Sequence, residues 1–329
     1  MPAVPAIDTV ARRYVAVLAA GALLPLAGCS STTEDSAGGA TGAARDVPTA
    51  SRAQVAEGGT LRWAVDSVPQ TFNTYQPDAD ATTDRVAGAT LPSLFTLDEK
   101  ARPQANKDYL VSAKVTASKP RQTVVYKLNP KAKWNDGRSL GAKDFVAQWK
   151  ALNGRHGAYW SARNAGYNRI AKIGKGPGAH QVKVVFGKPY ADWQSLFAPL
   201  YPKSAMRGPH AFNQGSRKKL PVSAGPFKLS RVSKASRSVS LVRDPAWWGE
   251  RAKLDRIRLK AVPRAKRAAA LEGHKLDLAE VDGGVAQLVS AANASSKNGD
   301  QADKQLPQRG APSAPGEAGH AARGGEGGE

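Results

Sequence analysis

Residues 133–145 read Lys-Trp-Asn-Asp-Gly-Arg-Ser-Leu-Gly-Ala-Lys-Asp-Phe, which combines a tight turn with the start of a helix. Asn135-Asp136-Gly137 is a strong turn signal because Asn, Asp and Gly all tolerate a positive φ angle. A helix is expected to open near Gly141, because apolar residues follow at helical spacing: Phe145, Val146, Trp149 and Leu152. Asp144 lies in the first turn of this helix, where a carboxylate interacts favourably with the helix dipole.

Strand patterns lie on both sides of this segment. Tyr109–Thr116 and Gln122–Leu128 are expected to form an antiparallel hairpin around a turn at residues 118–121. The spacing of apolar residues predicts the other elements, which are strands at 60–65, 181–186, 227–232, 239–243, 254–260 and 276–279, and helices at 80–91, 193–200 and 266–271. Because strands and helices alternate around an antiparallel insert, the fold class is predicted to be mixed α/β.

The first 29 residues have the layout of a secretory signal. Arg12 and Arg13 precede an apolar run, and small residues lead to Cys29, the one cysteine of the chain. The run is too short to span a bilayer. Leu26-Ala27-Gly28-Cys29 resembles the lipobox of bacterial lipoproteins, which implies cleavage before Cys29 and acylation of its thiol and amino group. An unmodified thiol behind a chance cleavage site is the alternative, and the Arg pair leaves a twin-arginine export route open.

Composition limits the classes of partner. The chain has 329 residues and a formal net charge of +21, so its surface attracts anions such as nucleic acid, acidic lipids or anionic envelope polymers. Its basic residues are scattered and an exported protein has little access to nucleic acid, so no nucleic-acid partner is expected. Residues 29–59 are predicted to be a flexible tether and residues 284–329 a disordered tail, since both lack core-forming side chains.

No pattern of catalytic or metal-binding residues stands out. Residues 174–178 are glycine-rich but lack the Lys-Ser/Thr of a phosphate-binding loop, and no nucleophile elbow or His-Glu-x-x-His helix occurs. The histidines are far apart without ligand spacing. The sequence therefore predicts a protein that is not an enzyme and that uses no cofactor or metal.

Four motifs together resemble family 5 of the extracellular solute-binding proteins, the oligopeptide, dipeptide and nickel receptors of ABC importers. Residues 133–145 are similar to the family's Trp-x-Asp-Gly turn and Ala-x-Asp-Phe helix. The other three matches are Ser223-Ala224-Gly225-Pro226-Phe227-Lys228-Leu229, then Arg243-Asp244-Pro245-Ala246-Trp247-Trp248-Gly249, and finally residues 268–277. Their order and spacing agree with the family.

The resemblance implies a bilobal fold of the type II periplasmic-binding-protein kind with an antiparallel β-rich insert. It covers about residues 60–282, so the chain is expected to be a truncated form that lacks the C-terminal lobe. The implied domains are a signal peptide (1–28), the lipidated tether (29–59), an incomplete lobe I (60–96 with 188–283), an insert (97–187) and the tail.

The resemblance also implies the function. The chain is expected to be a monomeric lipoprotein on the outer face of the cell membrane that captures peptides or small solutes for the permease subunits of an ABC importer, with weak binding in this shortened form. By similarity to the family, the ligand-binding candidates are Ser67, Val68, Phe72, Tyr159, Trp160, Gly225, Pro226 and Phe227. The alternative is a basic lipoprotein that adheres to the cell envelope and has no transport role.

Overall fold

The computed structural model describes residues 51–98 and 100–280. The predicted signal peptide, Cys29, residues 29–50 of the tether and the tail lie outside these residues. Residues 51–59 are described, and they contact the loop before the last strand: Gly58 N donates to Lys253 O at 2.8 Å, and Glu57 forms an ion pair with Lys253 at 2.7 Å.

The described residues form ten strands and five α-helices. The strands are β1 (Thr60–Val65), β2 (Phe95–Leu97), β3 (Pro103–Ala105), β4 (Leu110–Ala117), β5 (Thr123–Leu128), β6 (Ile170–Lys175), β7 (Gln181–Phe186), β8 (Phe227–Ser233), β9 (Ser238–Arg243) and β10 (Arg256–Ala261). The helices are α1 (Ala81–Thr90), α2 (Ala142–Leu152), α3 (Lys203–Met206), α4 (Pro209–Gln214) and α5 (Arg267–Glu272). None of these helices combines the length and apolar character needed to cross a bilayer.

Two four-stranded sheets organise the described residues. The first has the order β1-β10-β9-β8, with β1 parallel to β10 and the other neighbours antiparallel. The second has the order β4-β5-β7-β6 and is antiparallel throughout. Strands β2 and β3 form a small separate pair. The antiparallel hairpin expected over residues 109–128 is confirmed as β4 and β5.

The turn and helix of residues 133–145 fold as predicted. Gly137 has φ +85°, and α2 begins at Ala142. Trp134 is 1% exposed, and its Nε1 donates to Asp144 Oδ2 at 3.2 Å. Asp144 Oδ2 also accepts from Gly141 N at 3.1 Å, so this carboxylate caps its own helix. Burial raises the pKa of Asp144, although these hydrogen bonds act in the opposite direction.

The second sheet packs its inner face against α2. Val124, Tyr126 and Leu128 are at most 1% exposed and share this face, as the sequence predicted. The rings of Tyr126 and Phe145 lie 5.6 Å apart between their centroids. Aromatic pairs at this distance add to the free energy gained from burial, so the contact fixes α2 on the sheet.

Hydrogen bonds join three of the four motifs to one another and the fourth motif to β1. Asn135 N donates to Ser223 O at 2.8 Å, which connects the turn to the segment before β8. Asp244 N donates to Pro226 O at 2.9 Å, which connects that segment to the end of β9. Arg62 on β1 binds Asp277 through Nε at 2.9 Å, and this pair lowers the pKa of Asp277 to about 2. The motif residues therefore hold the first sheet to its neighbours.

Two predicted elements are wrong, and five of the described elements were not predicted. The helix predicted over residues 193–200 is a single 3-10 turn at Trp193–Ser195, because Leu196 is extended and Phe197 has φ +59°. Leu196, Phe197 and Leu200 are buried, so their spacing reflects burial in the core rather than helical periodicity. The strand predicted over residues 276–279 is one bridge between Leu278 and Trp63. The elements that were not predicted are strands β2, β3 and β6 and helices α3 and α4. The domain boundaries at 96/97 and 187/188 stay predictions.

Candidate functional site

The candidate ligand residues fall in three segments, which are residues 67–72, Tyr159 with Trp160, and residues 225–227. The structure places the first two segments next to each other. It places the third at the opposite end of α1. The assignment of these residues to a ligand stays a prediction, but their positions show which side chains are available to a solute.

The loop after β1 is fixed to the start of α1. The Ser67 hydroxyl donates to Asp80, the N-cap residue of α1, and the Thr82 hydroxyl donates to Ser67 O at 3.1 Å. Val68 is half-buried against the core. Phe72 is 1% exposed, so its ring packs in the core and fixes the loop from below. In this loop, Ser67 and Val68 are therefore the candidate side chains that solvent reaches.

A buried polar network holds the backbone of this loop. The Tyr201 hydroxyl donates to Phe72 O at 2.7 Å. Gln148 Nε2 donates to the hydroxyls of Tyr75 at 3.0 Å and Tyr167 at 2.9 Å, and its Oε1 accepts from Tyr201 N at 2.8 Å. Burial raises the pKa of Tyr201 to about 12 and also raises the pKa values of Tyr75 and Tyr167. The three phenols therefore stay neutral, and the network needs no counter-ion.

Sequence reasoning missed this network. Its one signal is Gln148, which lies three residues after Phe145 on the face of α2 that points into the core. A glutamine that is fully buried has four hydrogen-bonding positions to satisfy, so it predicts polar partners without naming them. Tyr75 and Tyr201 lie in separate loops and Tyr167 lies in a 3-10 turn, and no sequence pattern connects the three.

The aromatic pair is held by the end of α4. Asn213 Nδ2 donates to Ala158 O at 2.9 Å, and Trp160 N donates to Asn213 Oδ1 at 3.0 Å. The ring of Tyr159 packs edge-on against Phe212, with centroids 5.4 Å apart. Tyr159 is half-buried, whereas Trp160 is 54% exposed. An indole presented to solvent on a fixed backbone is suited to pack against a ligand.

The same end of α4 contacts the loop after β1. Gln76 Nε2 donates to Phe212 O at 3.1 Å and to Asn213 O at 2.8 Å. Phe72 N donates to Ser216 O at 2.8 Å. These bonds join the loop to the segment that carries Trp160. We use the name loop platform for residues 67–76, 158–160 and 212–216.

The third segment packs against the C-terminal end of α1. A Cβ atom at Gly225 would lie 2.5 Å from Ala89 O, and Phe227 is 7% exposed. Pro226 is half-buried, and its carbonyl accepts the hydrogen bond from Asp244. Helix α1 has ten residues and is about 15 Å long, so this segment lies about that far from Ser67 at the other end. The contacts that the structure shows for residues 225–227 are with the end of α1 and with Asp244.

A cavity of about 470 Å³ lies beside Tyr159. Its apolar wall includes Val146 and Met206, and its rim is cationic. The rim cations are Lys143, Lys150, Lys175, Lys203 and Arg207. Burial raises the pKa of Tyr159, so the phenol is neutral where it lines the cavity. The combination favours a ligand with an apolar part and a negative group.

The comparisons with known proteins identify the family. Residues 105–311, well over half of the chain, match the family described as bacterial extracellular solute-binding proteins, family 5 Middle. The chain therefore belongs to family 5 of the bacterial extracellular solute-binding proteins. The resemblance stated from the four motifs is confirmed.

Similar proteins extend this result. The chain is 34% identical over 257 residues to the oligopeptide-binding protein OppA of Mycobacterium tuberculosis, which covers 77% of this chain and 43% of that protein. It superposes on the periplasmic EDTA-binding protein EppA with a TM-score of 0.64 and 27% identity, over 68% of this chain and 43% of EppA. It also superposes on AppA from Bacillus subtilis, solved with a nonapeptide, with a TM-score of 0.60 and 21% identity over 69% of this chain and 44% of AppA.

These matches confirm the predicted fold class, the type II periplasmic-binding-protein fold. The chain spans about 43% of the length of OppA. Family 5 proteins are solute-binding proteins rather than enzymes. Within residues 51–98 and 100–280, His, Cys, Asp and Glu side chains do not gather in threes close enough to hold a metal ion.

Proposed function

We propose that this chain is a substrate-binding lipoprotein of an ABC importer and that it captures peptides for uptake. The observation that carries the proposal is its 34% identity to an oligopeptide-binding protein over 77% of the chain. The loop platform supports it, because a rigid loop and an exposed tryptophan form a surface on which a peptide can lie. Its partners would be the permease subunits of the importer, and it would act as a monomer.

We expect the peptide to be bound mainly through its backbone. A rigid loop offers main-chain donors and acceptors, so affinity would be retained across many peptide sequences. EppA, with 27% identity, is named for EDTA, so the ligand class within this fold extends to small polyanions. The cationic cavity beside Tyr159 would suit the terminal carboxylate of a peptide or another anionic solute. Closure of a two-lobed relative depends on ligand contacts with both lobes.

Replacing Trp160 with alanine is expected to weaken peptide binding by about tenfold or more, because truncating an exposed tryptophan at a binding surface removes a large contact area. Isothermal titration calorimetry with a mixed peptide library measures the change. Leu97→Ala is the matched control, since Leu97 is 69% exposed and lies far along the chain on β2. Equal affinity of the Trp160→Ala variant and the parent would contradict a role for the loop platform.

The affinity of the parent chain is a further part of this proposal. Trp160 of the loop platform is 54% exposed, and small-molecule sites bury most of their ligand, so we expect this surface to bind peptides more weakly than submicromolar. Submicromolar binding would overturn this part alone. The same titration at low and high salt tests the envelope-adhesion alternative. Adhesion through charge falls steeply as salt is added, whereas binding to a peptide backbone does not.

We also propose that Cys29 carries the lipid that holds the protein at the outer face of the cell membrane. The support is its position behind an apolar run and the small residues Ala27 and Gly28. Replacing Cys29 with serine is expected to move the protein from the membrane fraction to the soluble extracytoplasmic fraction, because the acyl chains supply most of the membrane affinity. Immunoblotting of the two fractions after a high-salt wash, which removes association through charge, measures this. A variant that stays in the membrane fraction as the parent does would refute the anchor.

A further inference from the structure

Positive charge is concentrated in the middle of the chain. Between Tyr109 and Ala191 the sequence has 16 Lys and Arg residues, and its two carboxylates are Asp136 and Asp144. Asp136 is paired with Arg138 at 2.8 Å, and Asp144 is buried. This segment contains strands β4, β5, β6 and β7, which are the whole of the second sheet. The carboxylates of the segment therefore compensate little of its positive charge, and Asp84 on α1 pairs with one further cation, Arg163, at 2.8 Å.

The outer face of this sheet has a lysine on each of its four strands. These residues, which we call the lysine face, are Lys114 on β4, Lys127 on β5, Lys183 on β7 and Lys172 on β6. All four are exposed, and they form no ion pair with any residue that the structure describes. A protein surface that only needs to be soluble mixes charges of both signs, so four lysines without a carboxylate are unusual.

The strand register shows that the four lysines share one face. Lys114 is opposite Val125, which is opposite Lys183 on the next strand. Lys127 is opposite Gln181, and Lys172 is opposite Val185. Directly paired residues, and residues two apart on one strand, point to the same side of a sheet.

The opposite face is the one that packs on α2, so the lysine face is the solvent side of the sheet. Neighbouring strands are about 4.8 Å apart, so the four strands spread the lysines over about 14 Å. The face is thus a broad cationic array and not a cleft.

We propose that the lysine face docks on the anionic phospholipid surface of a membrane. A lysine ammonium is a point charge on a flexible stem, and it reaches lipid phosphates without requiring a fixed bidentate geometry. The other side chains of the face are uncharged and not aromatic: Ser112, Thr123, Val125, Gln181 and Val185. Single-stranded nucleic acids are bound by aromatic stacking and arginine, which this face lacks. A flat array of like charges complements an extended charged plane.

Membrane docking is a property separate from solute capture. It rests on one part of the proposed function, which is that the chain lies at the outer face of the cell membrane. A lipid chain and a basic surface act as two signals for membrane association. Docking of the second sheet would turn its α2-packed side, and the cavity beside Tyr159, away from the bilayer. That orientation would leave the loop platform open to solutes.

The test uses the mature chain expected after cleavage, residues 29–329, carrying Cys29→Ser, so that neither an acyl chain nor the apolar signal segment contributes. Sedimentation with vesicles of equal parts phosphatidylglycerol and phosphatidylcholine measures binding, and pure phosphatidylcholine vesicles measure the background. In the test variant Lys114, Lys127, Lys172 and Lys183 are replaced by glutamine. The matched control replaces four exposed lysines elsewhere, Lys218, Lys219, Lys234 and Lys260, and so makes the same change in net charge.

The parent and the control variant are expected to bind the anionic vesicles and not the neutral ones. The test variant is expected to bind at least 100-fold more weakly, since each lysine near an anionic bilayer contributes a severalfold factor. Its thermal unfolding should match that of the parent, because the replaced side chains are exposed. Equal losses in both variants would show general charge attraction and would overturn the proposal, as would no loss in the test variant.

Two more measurements identify what the lysine face binds and separate the membrane-docking proposal from the peptide-capture proposal. Inorganic polyphosphate and a single-stranded oligonucleotide replace the vesicles at the same phosphate concentration. If either binds as tightly as the vesicles and depends on the same four lysines, the membrane assignment is wrong. Peptide titration of the test variant should match the parent. A chain that binds vesicles but no peptide would refute solute capture and leave the lysine face intact.

Discussion

Replacing Trp134 with alanine is expected to lower the free energy of unfolding by about 3–5 kcal/mol. Trp134 is 1% exposed, so the truncation leaves a large cavity between the turn and α2. The substitution also removes the donor to Asp144 Oδ2, which lies 3.2 Å from Trp134 Nε1. Asp144 is itself buried, and losing one of its partners leaves a carboxylate less well satisfied. Urea denaturation followed by circular dichroism measures the change.

Two further variants divide this effect into its parts. Trp134→Phe keeps most of the buried area and loses the hydrogen bond, so its cost is expected to be about 1–2 kcal/mol. Trp160→Ala removes the same type of side chain from a position that is 54% exposed, and its cost should stay below about 1 kcal/mol. If Trp134→Ala and Trp160→Ala destabilise the chain equally, the turn is not the anchor of α2.

Much of the fold could be predicted from the sequence where local chemistry and tertiary packing agree. The Asn135-Asp136-Gly137 turn and α2 follow from backbone preference and helical spacing, and both are confirmed. The same holds for β5 and β7, since their alternating apolar residues face α2. In these elements, one face is buried and the other is exposed, so the pattern shows in the sequence.

Sequence analysis failed where buried residues lie outside a regular helix or strand. Leu196, Phe197 and Leu200 recur at helical spacing, yet they enter the core from an irregular segment. Strand β6 was missed because Gly174 and two lysines interrupt its apolar pattern. One of those lysines belongs to the lysine face. Lys172 therefore both interrupts the apolar pattern of β6 and lies on the solvent-exposed face of the sheet.

The candidate site was less accessible to sequence analysis than the fold. The resemblance named eight positions, and the structure shows Phe72 and Phe227 buried and Trp160 exposed. The loop platform depends on Asn213 and Gln148, whose partners are distant in the chain. Hydrogen bonds between separate loops leave no periodic trace, so only coordinates place these residues together.

Replacing Gly225 with alanine is expected to lower the free energy of unfolding by about 2–3 kcal/mol, because the new methyl group overpacks a rigid contact. Its Cβ would lie 2.5 Å from Ala89 O and 2.8 Å from the Thr90 carbonyl carbon, and both are backbone atoms. A flexible side chain could move aside, but the end of α1 cannot move without straining the bond from Ala224 N to Thr90 O, which is 2.9 Å long. Denaturant unfolding measures the change.

Gly88→Ala is the matched control, because Gly88 lies in α1 directly before Ala89 and a Cβ there meets no atom within 4 Å. Alanine favours a helix over glycine, so this variant should gain up to about 1 kcal/mol. The same substitution thus has opposite signs at two glycines beside one helix end. No loss of stability at Gly225 would show that α1 and the segment before β8 are not in close contact. A loss at Gly88 would contradict the open space beside that glycine.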